Sequence, residues 1–176
     1  MDEKLKYPIG KQSFPEAYNP DVISEQIRLI SALPEKLNDL VSEMSNSGHN
    51  GDISYRDGGW TVRQIVHHLA DSHMNAFIRF KLALTEEKPV IKPFSETLWA
   101  ELPDAMDHNI DDSLQIITGM HRRWVKLLQS MDKGQFMRVL HHPGAGQNFA
   151  LWEMLAMYSW HGEHHLAHIR LALGED

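Results

Sequence analysis

The sequence predicts an all-α protein, a four-helix bundle, on three observations. Apolar residues recur at spacings of three and four over four long segments, which is the period of an amphipathic helix. Glycine and proline fall mainly between these segments. No convincing alternation of apolar and polar residues, internal repeat or second-domain boundary is found. We therefore expect residues 1–176 to form a single four-helix-bundle domain.

The first predicted helix covers residues 20–47. Asn19 can cap it, and Pro20 suits the first helical position because no N–H is needed there. Pro34 removes a backbone hydrogen bond and crowds the preceding turn, so we expect this helix to kink near Ser31 or to divide. Its apolar stripe contains Val22, Ile23, Ile27, Ile30, Leu33, Leu37, Leu40, Val41 and Met44.

The second predicted helix begins after Thr61 and continues to about Leu84. Thr61 and Gln64 have the spacing of a capping box, in which each side chain can satisfy a backbone N–H of the other residue. The following stretch, 88–103, contains three prolines and indicates a connection, with a short helical turn at 95–102.

Two further helices complete the predicted bundle. The third covers residues 111–131 and is followed by a loop at 141–146. The fourth covers residues 149–173 and ends at Gly174, the residue type most common just after a helix. We expect the residues before Asn19 to lie across the surface of the bundle.

The composition excludes several classes of function. The chain has 17 Lys and Arg against 24 Asp and Glu, a net charge of −7, so we expect neither a nucleic-acid nor a membrane partner. It begins without an apolar leader and has no apolar run near the roughly 18 residues of a membrane helix, which predicts a cytoplasmic protein. With no cysteine, a thiol needed for chemistry would have to come from another molecule.

Histidine is unusually frequent, at 12 residues. On a wheel of the fourth helix, His161 and His165 lie within or at the edge of the apolar arc, His168 a little outside it and His164 further toward the flank. The i, i+4 spacing lets the two inward rings share one metal ion. A divalent cation binds neutral imidazole, so it would satisfy two buried rings that cannot both be charged. The alternative is an ordinary pair of core or interface histidines.

A catalytic site of this kind needs a third protein ligand, and the second helix offers three histidines. His67 points away from the apolar arc and is expected at the surface. His68 lies on one flank and His73 just past the opposite edge, so periodicity favours His73 if it favours either. The apolar arc contains Val62, Ile65, Leu69, Ala76 and Phe80. The histidines expected to face solvent or to cap are His49, His108, His121, His141 and His142.

The fourth helix does not carry a known metalloprotease motif. Glu163 follows His161 by two positions, about 200° around the helix, so it is expected to face solvent and not to act as the base of an H-E-x-x-H site.

Several stretches resemble the YfiT group of the DinB-like proteins. They contain the start of the second helix with its histidines, the histidine motif of the fourth helix and part of the N-terminus, and the resemblance covers essentially the whole chain. The stretches are 7–10 (YPIG), 55–64 (YRDGGWTVRQ), 67–75 (HHLADSHMN), 78–81 (IRFK), 158–161 (YSWH) and 164–169 (HHLAHI).

The resemblance implies a homodimeric four-helix bundle with one zinc or nickel ion per subunit and the activity of a metal-dependent hydrolase on a small-molecule substrate. Carried over by motif, the metal ligands are His68, His161 and His165. The choice of His68 over His73 comes from the resemblance and not from periodicity.

Three histidine ligands and an open position would let the ion lower the pKa of a bound water toward about 7 and polarise an ester or amide carbonyl. The sequence places no carboxylate as the general base. Asp71, His164 and His168 are candidates to orient a ligand or accept a proton, beside a purely structural role for each.

Two other functions stay open. Related DinB-like proteins resemble bacillithiol S-transferases, in which the metal binds and ionises the sulfur of a low-molecular-weight thiol, and the lack of cysteine is compatible with that chemistry. The third possibility is a non-catalytic, metal-stabilised dimer that only binds ligands. The fold does not separate these functions, because function is decided at the site.

Overall fold

A computed structural model describes residues 3–175 of the chain. Over this range the chain forms seven helices and two short strands, which confirms the predicted all-α class. The four long helices are α2 (Pro20–Asn46), α3 (Val62–Thr85), α5 (Asp111–Gln129) and α7 (Leu151–Leu173). The short elements are α1 (Glu3–Lys6), α4 (Glu96–Trp99), α6 (Lys133–Phe136), β1 (Val139–His142) and β2 (Gln147–Ala150).

The local signals in the sequence fix most of the helix ends. The side chain of Asn19 accepts a hydrogen bond from the Asp21 amide at 2.9 Å, as expected of an N-cap. The Thr61 and Gln64 side chains form the predicted capping box at the start of α3. Gly174 ends α7 with φ of 86°, a left-handed conformation that suits glycine.

Pro34 does not divide α2, so the alternative of two separate helices is wrong. The helix continues through it, and Pro34 packs among the buried residues of the bundle. Because proline has no N–H, it donates no helical hydrogen bond to the carbonyl of Ile30, four residues earlier.

The loop predicted at 141–146 is wrong for its first residues, since His141 and His142 belong to a strand. β1 and β2 form an antiparallel hairpin in which Leu140 pairs with Phe149. Both of these side chains are buried, so the hairpin packs on the bundle. Strands of four residues are too short to give a clear alternation in the sequence. β2 also displaces the predicted start of the fourth helix from 149 to Leu151.

The long helices pack so that consecutive α2 and α3 lie at opposite corners of the bundle. Each of these two helices packs against both α5 and α7. The core has two apolar clusters, and the first contains Phe80 and Trp124 while the second contains Leu37 and Leu69. His73 contacts Trp124 of the first cluster with ring centroids 5.9 Å apart.

The N-terminal segment lies across the bundle, as predicted. Ring contacts join it to α7, β2 and α6, through Tyr7–His164 at 6.2 Å, Phe14–Phe149 at 5.7 Å and Tyr18–Phe136 at 6.1 Å. Among residues 3–175, no helix is both long enough and apolar enough to cross a membrane.

Candidate metal centre

The first turns of α3 place His68. The capping box holds the helix start, and the Gln64 side chain also donates to the carbonyl of Ala100 at 3.0 Å, which ties α3 to the connection after α4. His68 follows one turn after Gln64 and is 4% exposed. Trp60, just before the cap, lies against its ring with centroids 4.7 Å apart.

α7 supplies two histidines one turn apart. The rings of His161 and His165 are 4.6 Å apart and nearly perpendicular. Across the bundle, the Nε2 atoms of His68 and His161 lie 3.0 Å apart. His68, His161 and His165 each offer one ring nitrogen, and these nitrogens all lie within 4.8 Å of one another.

The surroundings of His68, His161 and His165 favour the neutral form of each imidazole ring. Burial lowers the pKa of His68 to about 4. Loss of hydration, followed by the neighbouring histidines, holds the pKa of His161 and His165 well below the ordinary value. Neutral imidazole is the form that binds metal ions.

This donor set fits the predicted ion. Three imidazoles suit zinc or nickel, whereas calcium and magnesium prefer oxygen ligands. The Nδ1 atom of His165 is buried without a hydrogen-bond partner among residues 3–175, so the cluster is not satisfied by protein contacts alone.

A cavity of about 470 Å³ opens beside the cluster. His161 and His165 line it, and its other walls are aromatic and charged. They include Lys6, Tyr7, Tyr55, Arg56, Trp60, Glu96 and Trp160. A larger groove of about 810 Å³ runs between α2 and α5 and contains none of the three clustered histidines.

His164 and His168 also line this cavity. His164 stacks on Trp160 with centroids 4.4 Å apart, and His168 stacks on Tyr55 at 3.9 Å. Burial lowers the pKa of each of these histidines to about 4. The Nδ1 atom of His164 is buried and finds no partner in the described part of the chain.

Asp71 lies in a different environment. Burial, and then the charge of Asp104, raises the pKa of its carboxyl, while His67 lowers it. Asp71 is not among the residues that line the cavity.

The surface prediction for His67 is wrong. It is 7% exposed, and its ring nitrogens lie 2.8 Å from Ser113 Oγ and 3.2 Å from the carbonyl of Asp107. A wheel of one helix cannot show that α5 and the segment before it cover this face.

The solvent or capping prediction for His121 is also wrong. His121 is 1% exposed and inside the bundle, where its Nδ1 lies 2.7 Å from the carbonyl oxygen of Ile30. His73 is fully buried, with its Nδ1 3.0 Å from His121 Nε2 and its Nε2 3.2 Å from His161 Nδ1. The helical periodicity of α3 therefore favoured His73, whose ring lies beside Nδ1 of His161. The resemblance selected His68, whose ring lies beside Nε2 of His161.

One glutamate differs from the sequence-based expectation, and a second lies at the cavity without having been singled out from the sequence. Glu163 was expected to face solvent, but it is partly buried and pairs with Lys36 at 2.7 Å. Glu96 lines the cavity, and burial raises the pKa of its carboxyl against the opposing charge of Arg79. Nothing local in the sequence marks Glu96, because the fold of the connection is what places it in the cavity wall.

The remaining predicted surface histidines are in or near solvent. His49 and His108 are exposed, and His141 and His142 are partly buried on the hairpin. The Nδ1 atom of His142 accepts a hydrogen bond from the Ala145 amide at 3.1 Å, so it caps the hairpin turn.

A helical bundle with a buried three-histidine cluster beside a cavity is typical of a metalloprotein. Residues 29–169 match the sequence profile of the DinB superfamily. The chain belongs to this superfamily and, within it, to the YfiT group.

Two relatives cover nearly the whole chain. A protein of Oceanobacillus iheyensis, named as a candidate metal-dependent hydrolase, is 48% identical over 166 residues and 93% of each chain. The protein YfiT of Bacillus subtilis, named in the same way, is 44% identical over 165 residues, 94% of this chain and 92% of its own.

The solved structure of Bacillus subtilis YfiT matches with a TM-score of 0.90 and 41% identity, covering 98% of this chain and 99% of that one. It is described as a probable metal-dependent hydrolase with an unusual four-helix bundle topology. The diagonal placement of α2 and α3 in the present structure is consistent with that description.

Proposed function

We propose that this chain is a metal-dependent hydrolase whose zinc or nickel ion is held by His68, His161 and His165. The observation that carries the proposal is the convergence of three neutral imidazole nitrogens within 4.8 Å, beside an open cavity. An ion bound there supplies a Lewis acid and lowers the pKa of a water toward about 7. The names of the relatives support the same general activity.

Glu96 is the carboxylate proposed to accept the proton from water. It lines the same cavity as His161 and His165. Burial raises the pKa of its carboxyl, which brings it closer to the pH at which a general base is most effective. The sequence did not single out Glu96 for this role, for which its candidates were Asp71, His164 and His168.

The three residues predicted to orient a ligand or accept a proton, Asp71, His164 and His168, are proposed to have different roles. His164 and His168 line the cavity and are proposed to contact the substrate or to accept a proton. Asp71 lies beside Asp104 and His67, so its proposed role is to support α3.

The cavity fits a small-molecule substrate. Its volume of about 470 Å³ is within the usual range for small-molecule sites. Tyr55, Trp60 and Trp160 provide flat apolar walls, and Lys6 and Arg56 are cations that can receive a negatively charged group of the substrate.

A second candidate is transfer of bacillithiol to an electrophile. The supporting observation is that the chain has no cysteine, so no protein thiol would compete for the metal or the electrophile. The two cations of the cavity wall could hold such a cofactor as readily as they hold a substrate.

The activity test uses zinc-loaded and nickel-loaded protein with a panel of small esters, amides and electrophiles, each with and without bacillithiol. Thiol-independent cleavage is expected for a hydrolase, with no turnover by His161→Ala. Product formation only with bacillithiol would replace hydrolysis by thiol transfer. Inactivity of both metal forms throughout the panel would contradict both enzymatic functions and favour the third one, a non-catalytic, metal-stabilised bundle that only binds ligands.

The assembly predicted from the resemblance is part of the proposal. We propose a homodimer in the cytoplasm, with residues 1–176 as one domain and one ion per subunit. Light scattering after size-exclusion chromatography gives the mass, and elemental analysis gives the metal per chain. A monomer, or two ions per chain, would contradict this assembly.

A further inference from the structure

A row of ring contacts leads from the metal cluster into the core. His161 Nδ1 lies 3.2 Å from His73 Nε2, and His73 Nδ1 lies 3.0 Å from His121 Nε2. The row ends where His121 Nδ1 lies 2.7 Å from the carbonyl oxygen of Ile30. We refer to His161, His73, His121 and the Ile30 carbonyl as the histidine chain.

The carbonyl at the end of the histidine chain decides where the protons are. A carbonyl oxygen only accepts, so His121 must carry its proton on Nδ1. In a neutral ring Nε2 is then bare and accepts from His73 Nδ1–H. By the same step His73 Nε2 is bare and accepts from Nδ1–H of His161.

The proton position on His161 determines which of its nitrogens faces the metal cluster. With its proton on Nδ1, a neutral His161 has a bare Nε2, and this is the atom that lies 3.0 Å from His68 Nε2. The histidine chain thus presents a lone pair of His161 to the cluster.

The surroundings keep the inner rings neutral and fixed. His73 is fully buried and His121 is 1% exposed, and burial of an imidazole favours its neutral form. Trp124 meets both rings edge to face, with centroids 5.9 Å from His73 and 5.8 Å from His121. Tyr158 contacts His73 at 5.6 Å.

Pro34 explains why the Ile30 carbonyl is available inside a continuous helix. A residue with an N–H at position 34 would donate to that carbonyl in the regular helical pattern. Proline cannot donate, so the carbonyl is free to accept from His121. The Ile30 carbonyl of α2 thus sets the proton positions of three rings on α3, α5 and α7, and the missing N–H of Pro34 removes a donor that would compete for it.

We propose that His73 and His121 are positioning residues that fix the tautomer and orientation of His161, so that its Nε2 is the atom offered to the metal. This inference rests on the proposed metal centre. A ligand histidine usually donates its second N–H directly to a carboxylate, a carbonyl or water. Here two further rings stand between the ligand and the carbonyl.

The first experiment needs no substitution. Nitrogen-15 spectra of the histidine rings in the metal-free protein distinguish protonated from bare nitrogens. The protons are expected on Nδ1 of His73, His121 and His161, opposite to the Nε2–H form that free neutral histidine prefers. A proton on Nε2 of His73 or His121 overturns the proposal.

The second experiment measures zinc affinity by competition with a chelator. His121→Phe keeps a ring in the core but ends the histidine chain, and we expect affinity to fall about 10- to 100-fold. His121→Gln can donate to the Ile30 carbonyl and accept from His73, so it should keep most of the affinity. The matched control is His67→Phe, which removes another buried histidine that lies outside the histidine chain.

The outcomes separate the two proposals. Equal affinity of His121→Phe and the unaltered protein overturns the positioning role and leaves the metal centre intact. An equal loss in His67→Phe also overturns it, because the effect would then be general destabilisation. Absence of zinc binding by the unaltered protein overturns the proposed function and this inference with it. If His121→Phe does not fold, the ring spectra of the unaltered protein decide.

Discussion

The two sides of His161 differ in how completely their histidines are satisfied. On the core side, both ring nitrogens of His73 and both of His121 have a partner. On the cavity side, the Nδ1 atoms of His164 and His165 are buried without a partner among the described residues. The histidines on both sides are buried, so burial alone does not separate them, and unsatisfied nitrogens are the better indicator of where a ligand belongs.

The largest expected effect is on the cavity side. His161→Ala and His165→Ala should each abolish stoichiometric zinc, because two imidazoles alone hold the ion far more weakly. Elemental analysis measures the loss, and circular dichroism should still show a helical protein. The control is His49→Ala, an exposed histidine. Full zinc content in either cavity variant would show that the ion binds elsewhere.

The next effect is catalytic. Glu96→Gln should lower the hydrolytic rate by about 100-fold while zinc content stays the same. If Glu96 must be ionised, the rate falls as the pH drops through its raised pKa, and this dependence disappears in the Gln variant. Glu101→Gln is the matched control, since Glu101 is exposed on the same connection. Equal rates for Glu96→Gln and the unaltered protein would remove Glu96 from the mechanism.

The buried histidines on the core side of His161 should make the free energy of unfolding depend on pH. Burial lowers the pKa of His121 to about 4, so between about 6.5 and 4 the unfolded chain binds the proton and the folded chain does not. The free energy of unfolding of the metal-free protein should therefore fall over this window as the pH drops. His121 alone contributes a loss on the order of 2–3 kcal/mol.

Denaturant titrations at several pH values measure this dependence. His121→Phe should reduce the slope by the share of His121, while the other buried histidines with lowered pKa keep the rest of the dependence. Ile117→Val, a substitution of a buried apolar residue, should lower stability by about 1 kcal/mol at every pH without changing the slope. An unchanged slope in His121→Phe would mean that His121 is not held neutral in the fold.

The smallest effect is expected from Pro34→Ala. The new N–H would compete with His121 for the Ile30 carbonyl, but a carbonyl has two lone pairs, so zinc affinity should fall only a few-fold. Removal of a proline from a helix interior should at the same time raise the melting temperature. Competition titration and thermal unfolding measure the two effects. A stabilised variant with unchanged affinity would show that the missing N–H has no influence on the histidine chain.

The parts of the fold with local causes could be predicted from the sequence. The capping box of Thr61 and Gln64 and the glycine at 174 are short-range signals, and both are confirmed. The inward pair His161 and His165 follows from the helical period. The hairpin was missed because its pairing depends on burial of Leu140 and Phe149 against the bundle, which the four residues of each strand do not reveal.

The residues that the sequence assigned wrongly or did not single out depend on contacts between separate elements of the fold. His67 and His121 lie on faces that only a second helix covers, so a wheel of one helix assigns them to solvent. Glu96 reaches the cavity through the fold of a proline-rich connection. Pro34 was recognised as unusual, but His121, which bonds to the Ile30 carbonyl that Pro34 leaves free, is distant in sequence.

Trp60 gives the cavity a built-in optical signal. Its indole lies 4.7 Å from the ring of His68 and 6.2 Å from that of His165. At such distances, filling the site alters the surroundings of the indole directly. The intrinsic fluorescence of the protein should therefore change on metal binding, and Trp60→Phe should reduce the change, leaving the part that comes from Trp160 on the same cavity wall. Occupancy of the site can then be followed in real time without an added dye.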